Sequence, residues 1–117
     1  MENKEFARQL EYRTRQFGIS IIKLSSSLPS SIEGKVIRNQ MTKSGTSIGA
    51  NYREANRSRS KRDFKNKIHI SESEASETEY WLEIINDLNW TEPNKLEPIL
   101  KETKELLAIF TSISNKL

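Results

Sequence analysis

The residues best suited to chemistry lie in one run. Between Arg53 and Lys67 the sequence places Arg53, Arg57, Arg59, Lys61, Arg62, Lys65 and Lys67 against only Glu54 and Asp63. Ser60, with Asp63 three residues on, is a helix-start signal, so Arg57, Arg59, Lys61 and Arg62 gather around a turn that opens a helix. A helix amino terminus favours anions through its unpaired N–H groups and its dipole. Guanidinium and ammonium groups added there make a phosphate site, and phosphate contacts hold nucleic acid without reading its sequence. Arg53 lies one turn before Arg57 and Lys65 one turn after Lys61, which extends the basic surface down both helices. Tyr52 and Phe64 flank it, but both fall on apolar stripes and read as core rather than as stacking platforms for bases.

A block of opposite sign follows, with Glu72, Glu74, Glu77, Glu79, Glu83 and Asp87 uninterrupted by any base. A second reading of the basic run is therefore pairing with acids of another helix or subunit. Glu79 and Glu83 stand one turn apart and could share acid–base work, although glutamate-rich helix surfaces are ordinarily solvated or salt-bridged. His69 is the only histidine, and a di-iron bundle needs Glu-x-x-His twice with two further carboxylates. No G-x-S-x-G or S-x-x-K nucleophile motif occurs, and the absence of Cys removes thiolate chemistry. The expectation is no enzyme, no cofactor and no metal; a hydrolase built on the third-helix carboxylates is the alternative, and it would depend on Glu79.

"SGTSIGANY" supplies the other unusual spacing. Gly45 and Gly49 stand four apart inside a helical pattern, where each glycine costs roughly 1 kcal/mol against alanine. Such a cost implies close approach of a neighbouring helix, and the lean positions Ser71, Ala75 and Thr78 point to the third helix as that neighbour. A P-loop is excluded, because neither its lysine nor a preceding strand is present. A membrane dimer motif is excluded by the polar surroundings.

These residues must be carried by helices. Apolar residues recur at steps of three and four: Phe6, Leu10, Phe17, Ile21, Leu24 and Leu28; then Ile37, Met41, Ser44, Ile48, Tyr52 and Ala55; then Phe64, Ile68, Ser71, Ala75, Thr78, Leu82 and Ile85. Pro29 ends the first stripe, and Ser30 with Glu33 forms a capping box for the second. "NWTEPNKLEP" breaks the third, and Leu96, Leu100, Leu107, Phe110, Ile113 and Leu117 form the fourth. Pro98 is tolerable only in a first turn, which blurs where that helix begins. Four helices with short connections imply an all-α, antiparallel up-and-down four-helix bundle occupying residues 1–117 as one domain.

Composition agrees with that layout. The 117 residues are 34% hydrophobic and 30% charged, with a formal net charge of +3, which suits amphipathic helices with narrow apolar stripes and leaves room for help from other subunits. The amino terminus is charged from its second residue and no run approaches membrane-span length. With no Cys, the expected location is the reducing cytoplasm.

With these residues in place the sequence resembles a family of four-helix proteins first noticed as reading frames within intervening sequences of bacterial 23S ribosomal RNA genes. The resemblance rests on a Ser-Ile-x-x-Asn-x-x-Glu core, an Arg and Ser turn, a Phe and an Ala and Glu-rich third helix. Here those positions are Ser47, Ile48, Asn51, Glu54, Arg57, Ser60, Phe64, Ala75, Glu79 and Leu82. It implies an up-and-down bundle assembling as a homopentamer, similar to the basic pentameric accessory protein of diversity-generating retroelements, which associates with nucleic acid. No biochemical activity is established for the intervening-sequence members, and this chain departs from the more basic relatives in its acidic third helix. Asn51, Glu54 and Arg57 lie at spacings of three, and Glu79 is placed to reach back to Arg57, so the motif reads as fixing register between helices or subunits.

The sequence therefore leads to a cytoplasmic, homo-oligomeric bundle whose nucleic-acid-binding residues are Arg53, Arg57, Arg59, Lys61, Arg62 and Lys65. Its structural or interface residues are Gly45, Ser47, Gly49, Asn51, Glu54 and Glu79. The partner is RNA or DNA, and the alternative is a protein–protein scaffold that binds no nucleic acid.

Overall fold

A computed structural model describes residues 3–117. Four α-helices follow in order: α1 (Lys4–Ser26), α2 (Ile32–Ala55), α3 (Lys61–Asp87) and α4 (Pro93–Asn115). Among the described residues there is no strand, and no helix is long and apolar enough to cross a membrane. The molecule is elongated, 44 × 24 × 21 Å. Packing is most extensive between α2 and α3, and α1 on α2 and α3 on α4 follow; the α1–α4 seam closes the ring sparsely.

Local signals account for most boundaries. Asn3 caps α1 by accepting from the Phe6 N–H at 2.7 Å, and Ser60 caps α3 by accepting from the Asp63 N–H at 3.0 Å, as its spacing predicts. The cap of α2 is Ser31 rather than Ser30, accepting from the Gly34 N–H at 3.1 Å. A Cβ on Gly34 would lie 2.2 Å from the Pro29 carbonyl oxygen, so the tight α1–α2 loop requires glycine there. Helix α3 ends in a Schellman motif: Asn89 takes a positive φ of 55°, the Trp90 N–H donates to the Ile85 carbonyl and the Asn89 N–H to the Asn86 carbonyl. Helix α4 starts at Pro93, whose missing N–H would be unpaired anyway. Pro98 thus lies inside the helix instead of in its first turn, on an exposed face where the freed Asn94 carbonyl reaches water.

The third stripe is buried at every expected position, from Phe64 to Ile85. In α1 and α2 the stripes hold except that Phe6 is 40% exposed and Ile37 is only half-buried. Helix α4 differs more: Thr103 and Leu106 are buried beside Leu96 and Phe110, whereas Leu100, Leu107 and Ile113 are half-buried and Leu117 is exposed. That helix leans on α3 and scarcely on α1, so its buried line is narrower than a fully enclosed helix would have.

The glycines pack against α1, which corrects the expectation that they seat α3. A Cβ on Gly45 would lie 2.9 Å from two side-chain carbons of Ile21, and one on Gly49 would lie 3.0 Å from the Thr14 hydroxyl. The α2–α3 contact is close for a different reason, its buried hydroxyls. Ser71 donates to the Ile48 carbonyl at 2.9 Å, and a 2.8 Å hydrogen bond joins Thr78 to Ser44, so polar atoms at the seam are satisfied where backbones come together.

Midway up the α1–α4 seam, Arg13 grips Glu102 with two hydrogen bonds of 2.6 and 2.7 Å and reaches Glu105 at 2.6 Å. The hydrogen bond to Glu102, more than any other influence, raises the Arg13 pKa against the opposing effect of burial. Grooves flank this clasp along the same seam, toward both ends of the bundle.

Candidate nucleic-acid interface

The turn between α2 and α3 is built from beneath. Asn56 closes α2, its N–H donating to the Tyr52 carbonyl, and its side-chain amide donates to Glu11 of α1 at 2.9 Å. The Ser58 hydroxyl donates to the Ala55 carbonyl at 2.6 Å. Phe64, 4% exposed, plugs the first turn of α3 into the core. With these apolar and neutral groups turned inward, most charged residues of the run are left facing solvent.

Arg53, Arg57, Arg59, Lys61, Arg62 and Lys65 are all exposed, and none forms an ion pair with any described residue. Lys67, the seventh cation of the run, is taken by Glu54 at 2.7 Å. Arg57, Arg59, Lys61 and Arg62 stand together on the turn and the first residues of α3. Arg53 diverges from them, lining the groove between α1 and α2 beside Glu11 and Ala50. Lys61 and Lys65 lie eight and four residues before His69 on α3, and His69 Nδ1 meets the Ser114 hydroxyl of α4 at 2.9 Å. That stripe therefore runs along the α4 side of the helix.

The antiparallel topology adds cations that the run itself does not contain. The start of α1 and the end of α4 reach the same end of the molecule, bringing Lys4, Arg8 and Lys116. Arg8 is engaged by Glu5, whereas Lys4 and Lys116 make no ion pair with a described residue. Sequence reasoning missed these because only the order of the helices in space places them there.

The family-motif positions lie along the α2–α3 seam of one chain. Asn51 donates to the Ser47 carbonyl at 2.9 Å, the Ser47 hydroxyl donates to the Lys43 carbonyl at 2.6 Å, and Glu54 holds Lys67. Glu79 does not pair with Arg57. The Thr78–Ser44 bond sets the register, and from Ser44 to the end of α2 is already about three turns, roughly 16 Å. Half-buried Glu79 consequently stands far from the basic turn.

The first half of the acidic run, Glu72, Glu74 and Glu77, is engaged within the chain as well. Thr111 donates to Glu72 at 2.9 Å, and the Trp81 indole donates to Glu77 at 3.0 Å. Burial raises the Glu74 pKa, with Glu77 adding to the rise and Lys43 and Ser47 opposing it. Among the described residues no three His, Asp or Glu side chains converge as a metal ion would need. His69 has Glu72 3.7 Å away on the same ring nitrogen that meets Ser114, so the three do not form a relay in which base and nucleophile use opposite nitrogens.

Comparison with known proteins bears on the whole chain. A family model described as 23S rRNA-intervening sequence protein matches residues 4–112. No curated protein matches. Among solved structures, a protein of unknown function from the S23 ribosomal protein family of Bacteroides thetaiotaomicron superposes with a TM-score of 0.82 at 36% identity, covering 89% of this chain and 96% of its own. Since the family match runs from the first turn of α1 into the last turns of α4, and the bundle reproduces that relative's fold, the chain belongs to the 23S rRNA-intervening sequence protein family.

Proposed function

We propose that the chain is a non-enzymatic, homo-oligomeric bundle, a pentamer, that binds structured RNA or DNA electrostatically at the α2–α3 turn as a cytoplasmic accessory factor. The observation that carries this reading is the set of six exposed cations without an ion-pair partner in the described chain, four of them grouped at a capped helix start. The family match to a protein named for an rRNA intervening sequence supports a nucleic-acid setting. The lack of Cys supports a reducing compartment.

Fluorescence anisotropy of labelled hairpin RNA and duplex DNA, titrated from about 50 to 200 mM salt, tests it. Contacts to six to ten phosphates lose about 10³-fold or more in affinity over that range. Arg59→Ala with Arg62→Ala is expected to weaken binding and to flatten the log–log salt slope by roughly 2, with assembly intact. Loss of assembly in the double variant would assign these side chains to an interface, and no binding at the lowest salt would reject the proposal.

The scaffold reading has its own support in exposed apolar residues away from the turn, Ile19 and Ile22 on α1 and Ile70 and Tyr80 on α3. These suit side-by-side contact between copies, with the cations of one against the acids of the next. Unchanged assembly in a protein that binds neither probe would favour it.

A further inference from the structure

The basic end also holds an apolar groove. It opens where α1 and α4 separate, has a volume of about 520 Å³, and is walled by Phe6, Ile109, Ile113 and Leu117 over the buried ring of Phe64. That volume lies within the ~300–1,000 Å³ of small-ligand sites. Phe6 is 40% exposed although its position continues the α1 core stripe, so a ring that the helix pattern directs inward is left open at this mouth.

Two polar groups face the apolar wall. The Asn3 side chain caps α1 through its oxygen only, which leaves its amide donors without a described partner, and the Ser112 hydroxyl has none either. Both line the groove. Lys116 lines the mouth, while Lys61 and Lys65 stand at the same end of the bundle on the side of α3 that meets α4, outside the groove itself. An aromatic face, two edge partners and an ammonium group at the mouth that continues into a basic end are what a single nucleotide within a strand needs: a stacked ring, hydrogen bonds to its edge and neutralised phosphates. An apolar peptide would leave Lys116 at the mouth, and the cations beyond it at the same end, unanswered.

We infer that this groove receives an unpaired nucleobase, stacked on Phe6, from a nucleic acid whose phosphates lie across Lys61, Lys65, Lys116 and the α2–α3 turn. The inference rests on the nucleic-acid reading of that turn. It narrows the ligand from any duplex to one with an unstacked base, such as a hairpin loop, a bulge or a single strand.

The test compares labelled oligoadenylate RNA with an RNA duplex of equal phosphate count, using wild type, Phe6→Ala and Ser112→Phe. Wild type is expected to prefer the single strand by about tenfold, the scale of one base–aromatic stack. Phe6→Ala removes the platform, and Ser112→Phe fills the groove from an exposed position. Both are expected to abolish the preference while duplex affinity and the circular-dichroism melt stay unchanged. Equal binding of both probes by wild type would overturn the groove assignment and leave the basic turn standing. Binding of neither would remove both. A change of assembly mass in Phe6→Ala would make the groove a contact between copies and overturn the inference.

Discussion

At the residue scale, charge placement is governed by what lies beside each group. Glu74 is half-buried on α3, and desolvation is the leading cause of its raised pKa. A carboxyl with a higher pKa folded than unfolded binds more protons in the folded state, so its contribution to stability falls as pH rises from about 4, the unfolded value, through the folded one. Glu74→Gln is therefore expected to raise the melting temperature at pH 7 and to flatten its fall between acid and neutral pH; melts at several pH values check it. A steeper fall in the variant would reverse the assignment. Local spacing made the basic turn and its Ser60 cap readable, since both depend on neighbours within one turn. Arg13 with Glu102 and Glu105 was not readable, because nothing local pairs residues so far apart in sequence.

At the element scale, glycine and asparagine mark where helices touch and stop. Gly45→Ala gains helix propensity of roughly 1 kcal/mol but drives a Cβ against the stiff, branched side chain of Ile21. Overpacking of this kind costs about 1–3 kcal/mol, so denaturant unfolding is expected to show net destabilisation. Asn89→Gly relieves the left-handed residue of the Schellman motif and is expected to stabilise by about 0.5–1 kcal/mol, while Asn89→Ala destabilises. The α3 stripe could be read completely because that helix packs on neighbours along both flanks. The side of Gly45 and Gly49 could not, since lean residues occur on α1 and α3 alike and only the packed rotation of α2 decides between Thr14 with Ile21 and Ser71 with Ala75. In α4, the sparse contact with α1 shifted burial from Leu107 to Leu106 and enclosed Thr103, whose hydroxyl satisfies itself on the Ile99 carbonyl at 2.7 Å.

At the scale of the molecule, alternating helix direction gathers basic residues at one end of the 44 Å axis. Lys4 and Lys116 join Arg57, Arg59, Lys61, Arg62 and Lys65 at one end, while the other mixes Glu83, Asp87, Glu92 and Glu97 with Lys23, Lys35 and Lys95. Four short-linked helices were evident from periodicity, but this gathering of chain ends required the bundle itself. The proposed pentamer predicts a native mass of five 13.6 kDa chains, measurable by native mass spectrometry; a monomer at micromolar concentration would remove assembly from the proposal. The same alternation of helix direction has an optical consequence. Trp81, late in α3, and Trp90, in the Schellman corner, are the only tryptophans, and both sit at the end away from the basic turn. Their emission is a private reporter of that corner: it is expected to stay unchanged when nucleic acid docks at the turn and to shift red when the α3–α4 joint loosens.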